Sequence, residues 1–137
     1  KIWKSSSAEE QQNFLQAFEN LIVANWSGMF DKYSGQIIET KDATAVFSKA
    51  GNQTEVTSKV ISSDKPDSLP VTIAWRLKFE ENQYKIIDIK VEGSSMAMTY
   101  QAEYREIISQ AQDVGKDPMS ELIAKIKNKT SEYRNKK

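Results

Sequence analysis

The sequence predicts an α+β fold in which a curved antiparallel sheet of four to five strands packs against helices. Three observations carry that expectation. The first third of the chain repeats its large apolar residues at helical spacing, the middle switches to a period of two, and helical spacing returns after Gly93-Ser94-Ser95.

Ser7 followed by Glu10 reads as a capping box, and Glu9 and Glu10 suit the positive end of a helix. Phe14, Leu15, Phe18, Leu21, Ile22, Trp26, Met29, Phe30 and Tyr33 then recur at three- and four-residue steps, so one broad apolar face extends toward Gly35 as a stop. From Gln36 the sequence reads as strands. Ile37-Ile38, Ala45-Val46-Phe47 and Glu55 to Ile61 form short ones, Gly51-Asn52 turns the second into the third, and Asp64-Lys65-Pro66-Asp67 is a loop. The next strand alternates most cleanly: Val71, Ile73, Trp75, Leu77 and Phe79 on one face, Thr72, Ala74, Arg76, Lys78 and Glu80 on the other. One face should be buried and the other solvated. Glu81-Asn82 leads into Tyr84 to Val91, where Ile87, Ile89 and Val91 are expected on one face. Ser94 or Ser95 then opens a helix to Ala111 bearing Met96, Tyr100, Tyr104, Ile107 and Ile108. After Gly115-Lys116-Asp117-Pro118 comes a shorter helix with Met119, Leu122, Ile123 and Ile126.

Composition narrows the function classes. The chain of 137 residues has no cysteine, which removes thiol chemistry and disulfides, and no histidine, which removes the commonest general base and metal ligand. Neither a catalytic nor a metal site is indicated, and no cofactor. Basic and acidic residues number 19 each, so no global field favours nucleic acid. No apolar run approaches the ~20 residues that span a bilayer, so the chain reads as not membrane-spanning. The basic end, from Lys125 to Lys137, reads as a solvated helix terminus that complements the dipole.

The order and spacing of several motifs resemble the MlaC family of periplasmic phospholipid-binding proteins, also called toluene-tolerance proteins. Tyr84, Asp88, Val91-Glu92-Gly93 and Ser95 match its aromatic, aspartate and "V-E-G-x-S" turn, followed by Tyr100, Tyr104 and Leu122-Ile123. Trp3, Phe14, Phe18 and Tyr33-Ser34-Gly35 match its first helix, and Val56 to Val60 a "V-x-T-x-V" strand. The resemblance implies a nuclear-transport-factor-like cone whose sheet wraps an apolar pocket. It implies a periplasmic carrier moving phospholipid between an outer-membrane lipoprotein complex and an inner-membrane ABC transporter complex, to maintain outer-membrane lipid asymmetry, with acyl chains as its ligand and no reaction of its own. Family members carry further helical residues before the tryptophan matched by Trp3, so residues 1–137 are expected to form a single lipid-binding domain lacking that segment.

Periodicity then nominates pocket walls: Trp26, Met29, Phe30, Val71, Ile73, Trp75, Leu77, Met96 and Tyr100. Ordinary core filling is the competing role for each. An enzyme on the same cone would use Asp88 as general base, with Tyr100 or Tyr104 as oxyanion donor. Strand parity places Asp88 with Tyr84 and Lys90, opposite Ile87, Ile89 and Val91, which favours a structural hydrogen-bonding carboxylate. An interaction domain with a solid core is the third reading.

Overall fold

The computed structural model describes residues 2–30, 36–47, 51–62, 67 and 69–136. The chain divides into a helical unit, residues 1–33 and 102–137, and a sheet unit, residues 34–101.

In the helical unit a short helix α1 (Ile2–Ser5) precedes α2 (Ala8–Phe30). The capping box forms as the sequence indicates: Glu10 N–H donates to Ser7 Oγ at 3.2 Å, and Ser7 N–H donates to Glu10 Oε2 at 2.7 Å. Gln11 Nε2 donates to the Trp3 carbonyl at 2.7 Å, which ties α1 to α2. Replacing Ser7 with alanine should cost about 1 kcal/mol, measured by chemical unfolding, because the helix-terminal Glu10 N–H loses its acceptor.

The stripe that α2 buries is narrower than the large apolar residues suggest. Ala17, Leu21 and Ala24 are buried, whereas Leu15 and Val23 are about half exposed, at 49% and 59%. Alanines at that spacing let another helix approach closely, and α2 packs on α4 (Pro118–Asn135), whose Met119, Leu122, Ile126 and Thr130 are buried. Helix α3 (Met96–Asp113) outlasts its expected end and stops in a Schellman arrangement: Lys116 N–H donates to Ala111 O at 2.9 Å, Gly115 N–H to Gln112 O at 3.1 Å, and Gly115 takes φ of 69°. Asp117 caps α4, accepting from Ser120 N–H at 2.7 Å, with Pro118 in the first turn. That hydrogen bond from Ser120 holds the Asp117 carboxyl below its ordinary value.

The sheet unit is an antiparallel meander in the order β1 (Ile37–Phe47), β2 (Gln53–Ile61), β3 (Val71–Glu80), β4 (Gln83–Val91), β5 (Ser94–Ser95). Three expectations need correction. Ile37-Ile38 and Ala45-Val46-Phe47 are ends of one strand, whose register with β2 shifts between Glu39 and Thr44; the polar run Glu39-Thr40-Lys41-Asp42 between the two apolar stretches is what made it look like two. On β3 neither face is fully buried: residues 72–78 are half-buried, and Val71 and Phe79 are 40% and 43% exposed. On β4 the register slips beside Leu77, which pairs with Ile86 while Arg76 pairs with Asp88, so Ile87 has no partner on β3. A bulge reverses parity, so Tyr84 and Ile86 join the face of Ile89 and Val91, and Ile87 does not continue their alternation. Asp88 therefore shares its face with Lys90 and not with Tyr84. The expected helix end at Tyr33 to Gly35 and the loop residues 64–66 lie outside the described residues.

Among the described residues every buried hydrophobic lies in a helix of the α2, α3 and α4 set, and the buried positions of the sheet unit are polar: Thr54, Ser58, Asp88 and Ser95.

Candidate functional site

Residues paired across antiparallel strands share a face, so the register defines a continuous apolar surface. Val71, Ile73, Trp75 and Leu77 stand beside Val60, Ser58, Val56 and Thr54 of β2. On the other side, Ile73, Trp75, Leu77 and Phe79 stand beside Val91, Ile89, Ile86 and Tyr84 of β4. The bulge matters here, because it brings Tyr84 and Ile86 onto this surface. Phe79 and Tyr84 pack with ring centroids 5.0 Å apart.

The indole of Trp75 and the hydroxyl of Thr54 on this face both have hydrogen-bond acceptors. Trp75 Nε1–H donates to Ser58 Oγ at 2.9 Å, and Thr54 Oγ1 donates to the Val46 carbonyl at 3.1 Å. Ser58, the acceptor for the indole, is buried at 4%, so the indole edge is tied down and the ring is left as apolar surface. Yet the large side chains remain accessible: Ile86 at 58% and Tyr84 at 57%. A contiguous apolar surface left this open is suited to apolar ligands.

The opposite face is charged and internally paired. Lys90 Nζ reaches across the small Ala74 to Glu55 Oε2 at 2.8 Å, Lys78 meets Glu80 at 3.1 Å, and Arg76 lies 3.7 Å from Asp88. Asp88 is the only one of these whose side chain is almost fully enclosed, at 1% exposure. Its Oδ1 accepts from Ile89 N–H and Ala97 N–H, each at 2.9 Å, and its Oδ2 accepts from Ser95 Oγ at 2.5 Å. Burial pushes the carboxyl up most strongly as a single influence. The hydrogen bonds from Ser95, Ala97 and Ile89, with the Arg76 charge, together outweigh it and hold the group below 3.8. Asp88 is therefore a poor general base, ionised and already saturated with donors.

The sign of the pH dependence follows. A carboxyl with a lowered folded value stabilises the fold fully above its ordinary value of 3.8 and loses that contribution as pH falls through the folded value. Asp88→Asn should thus be less stable than the parent at neutral pH, and the gap should narrow on acidification below 3.8. Thermal melts of both proteins across that range check it; a gap that stays constant would mean that the charge contributes nothing.

The turn after β4 also has a specific construction. Glu92 and Gly93 both take positive φ, 49° and 80°, which is costly for a glutamate. Glu92 is held there by β3: its carboxylate accepts from Thr72 N–H at 2.6 Å, and its own N–H donates to Thr72 O at 3.0 Å.

Of the residues nominated from sequence, Val71, Ile73, Trp75 and Leu77 share this one face, and Met96 and Tyr100 are half-buried in the first turns of α3 within the same unit. Trp26 is half-buried on α2 in the helical unit. Met29 and Phe30 are helical, and their side chains lie outside the described residues. Sequence reasoning missed Tyr84, Ile86, Ser58 and Thr54. A signal for the first two existed, since apolar residues change phase from even (Tyr84, Ile86) to odd (Ile87, Ile89, Val91), the mark of an inserted residue. Ser58 and Thr54 give no such signal.

The helical unit has its own cleft of about 330 Å³, floored by Leu21, Tyr104, Ile107 and Ile126 and bordered by a Glu103–Lys129 ion pair at 2.6 Å. Among the described residues no group of acidic side chains is placed to hold a metal ion, and no helix is long and apolar enough to cross a membrane.

Comparison with known proteins gives the fold a context. A phospholipid-binding protein from Ralstonia solanacearum, solved in complex with a phospholipid, superposes with a TM-score of 0.76 at 20% sequence identity, covering 98% of this chain and 69% of that one. The two share a fold. No curated protein matches the sequence at a significant level. The profile of the MlaC protein family matches residues 1–132, nearly the whole of this chain, and the chain therefore belongs to the MlaC family.

Proposed function

We propose that the chain is a periplasmic phospholipid carrier that shuttles lipid between an outer-membrane lipoprotein complex and an inner-membrane ABC transporter complex, and that it acts as a single lipid-binding domain without a reaction of its own. The observation that carries the reading is the open apolar face of β2, β3 and β4, with Tyr84 and Ile86 more than half exposed in a chain of the MlaC family. The phospholipid held by the Ralstonia solanacearum protein of the same fold supports it. Val71, Ile73, Trp75 and Leu77 form the proposed wall for acyl chains, extended by Tyr84 and Ile86.

The physics explains the need for such a wall. Two acyl chains hold roughly 30 methylenes, and at about 0.8 kcal/mol each their exposure to water costs on the order of 25 kcal/mol. Unassisted diffusion across an aqueous gap is negligible. The head group is already hydrated, so binding should rest on the chains and discriminate weakly among head groups.

Organic extraction and mass spectrometry of protein purified without detergent tests the reading. A carrier retains phospholipid of mixed head groups in fixed molar ratio. Protein that comes free of lipid, and takes none from phosphatidylethanolamine and phosphatidylglycerol vesicles, would refute it.

A further inference from the structure

The first N–H groups of a helix need acceptors, and α3 takes one of them from a different element. Ser95 serves as the local cap: its Oγ accepts from Met98 N–H at 3.1 Å. The same hydroxyl donates to Asp88 Oδ2 at 2.5 Å, and Asp88 Oδ1 accepts from Ala97 N–H at 2.9 Å. A carboxylate on β4 thus receives the start of α3 through one direct and one relayed hydrogen bond. Thr99 Oγ1 closes the turn by donating to the Ser95 carbonyl at 2.9 Å.

The bulge is what makes this possible. Without the extra residue at Ile87, the hairpin register set by Phe79 and Tyr84 would place Ile87 opposite Arg76; with it, Asp88 takes that position. Asp88 then sits on the charged face beneath Arg76, while the next residue, Ile89, belongs to the apolar face beside Trp75. Through Ile89 N–H at 2.9 Å the carboxylate also fixes the strand at the point where the bulge ends. One side chain therefore holds two things in register: the strand that carries part of the apolar face, and the helix turn that carries Met96 and Tyr100. Charge-assisted hydrogen bonds of this kind are stronger than neutral ones, and an enclosed carboxylate cannot exchange them for water.

The geometry points to Asp88 as a positioning residue that latches the first turn of α3 to β4 and thereby sets the rate at which lipid leaves the apolar face. The inference rests on the carrier reading. Asp88 touches no ligand in this role; it acts through Ser95 and Ala97 on Met96 and Tyr100.

Two variants test it. Asp88→Asn keeps the shape of the side chain but cannot accept at both positions, and Ser95→Ala removes the relay while leaving the contacts of the carboxylate with Arg76, Ile89 and Ala97. Hydrogen exchange reads the latch at the amides of Ala97 and Met98, with Ser120 at the cap of α4 as the internal control. Transfer of a fluorescent phosphatidylethanolamine to phosphatidylethanolamine and phosphatidylglycerol vesicles reads the release rate. Exchange should speed by about tenfold or more at Ala97 in Asp88→Asn, which takes away its charged acceptor, and at Met98 in Ser95→Ala, which takes away its hydroxyl acceptor, with Ser120 unchanged in both. Lipid release should quicken severalfold in both variants. Faster exchange at those amides with parental release rates would overturn the proposal, leaving Asp88 as a helix cap alone, and unchanged exchange would show that there is no latch. A parent protein that neither carries nor accepts lipid would instead sink the carrier reading and the release role with it, while the exchange data still decide whether the latch exists.

Discussion

Leu77→Glu should abolish lipid retention while leaving the protein folded. Leu77 stands in the middle of the apolar face, between Thr54 and Ile86. It is half-buried, so in the unoccupied protein a glutamate can turn its carboxylate to water and cost only about 1 kcal/mol. Acyl chains laid over the face would close that route. The carboxylate would then be desolvated beside Thr54, whose hydroxyl hydrogen is already donated to the Val46 carbonyl. A penalty of several kcal/mol corresponds to a loss of roughly 100-fold or more in affinity. Mass spectrometry of the purified variant reads lipid content, and circular dichroism reads folding. Parental lipid content in a folded Leu77→Glu protein would show that acyl chains do not lie on this face. Ile73→Trp probes the same surface by volume: if the face is open, the indole is accommodated with little loss of stability, whereas in a packed core such overfilling typically costs about 1–3 kcal/mol.

Alternation and helical periodicity made much of this fold legible. The capping box at Ser7 and Glu10, the β3 strand, the cap at Ser94 or Ser95 and the start of α4 after the Gly115 to Pro118 break all depend on local chemistry, and each is found where the sequence puts it. What was hidden depends on pairing. Whether β1 is one strand or two is decided by its register with β2, and no residue of β1 records that. The face of Tyr84 depends on the extra residue at Ile87, although the change of apolar phase there was visible. Burial was the least legible quantity. Large apolar residues on β3 suggested a core, yet the enclosed apolar positions include the small Ala17, Ala24 and Ala111, which hydrophobic patterning of large residues overlooks. Sequence gives the apolar character of a face; whether other atoms of the chain cover it is a matter of tertiary packing.

That division of burial leads to the largest expected loss of stability. Ile126 on α4 and Leu21 on α2 are the most completely enclosed large side chains described, at 2% and 0% exposure. Truncating either to alanine removes buried methyl and methylene groups from two helices that pack on each other, and leaves a void where they stood. Such truncations cost about 2–5 kcal/mol. Unfolding midpoints should fall on the order of 10 °C. Ile73→Ala should cost much less, because the half-buried side chain exposes part of the same area in the folded state and gains less from burial. Its effect should appear instead in lipid content. The two kinds of residue are thus expected to separate in one experiment, with urea unfolding and lipid extraction carried out on the same samples: Ile126→Ala loses stability and keeps its lipid per folded molecule, and Ile73→Ala keeps most of its stability and loses lipid. Equal destabilisation by both would mean that the β3 face is held as tightly as the α2–α4 core. Its openness would then have no consequence for binding.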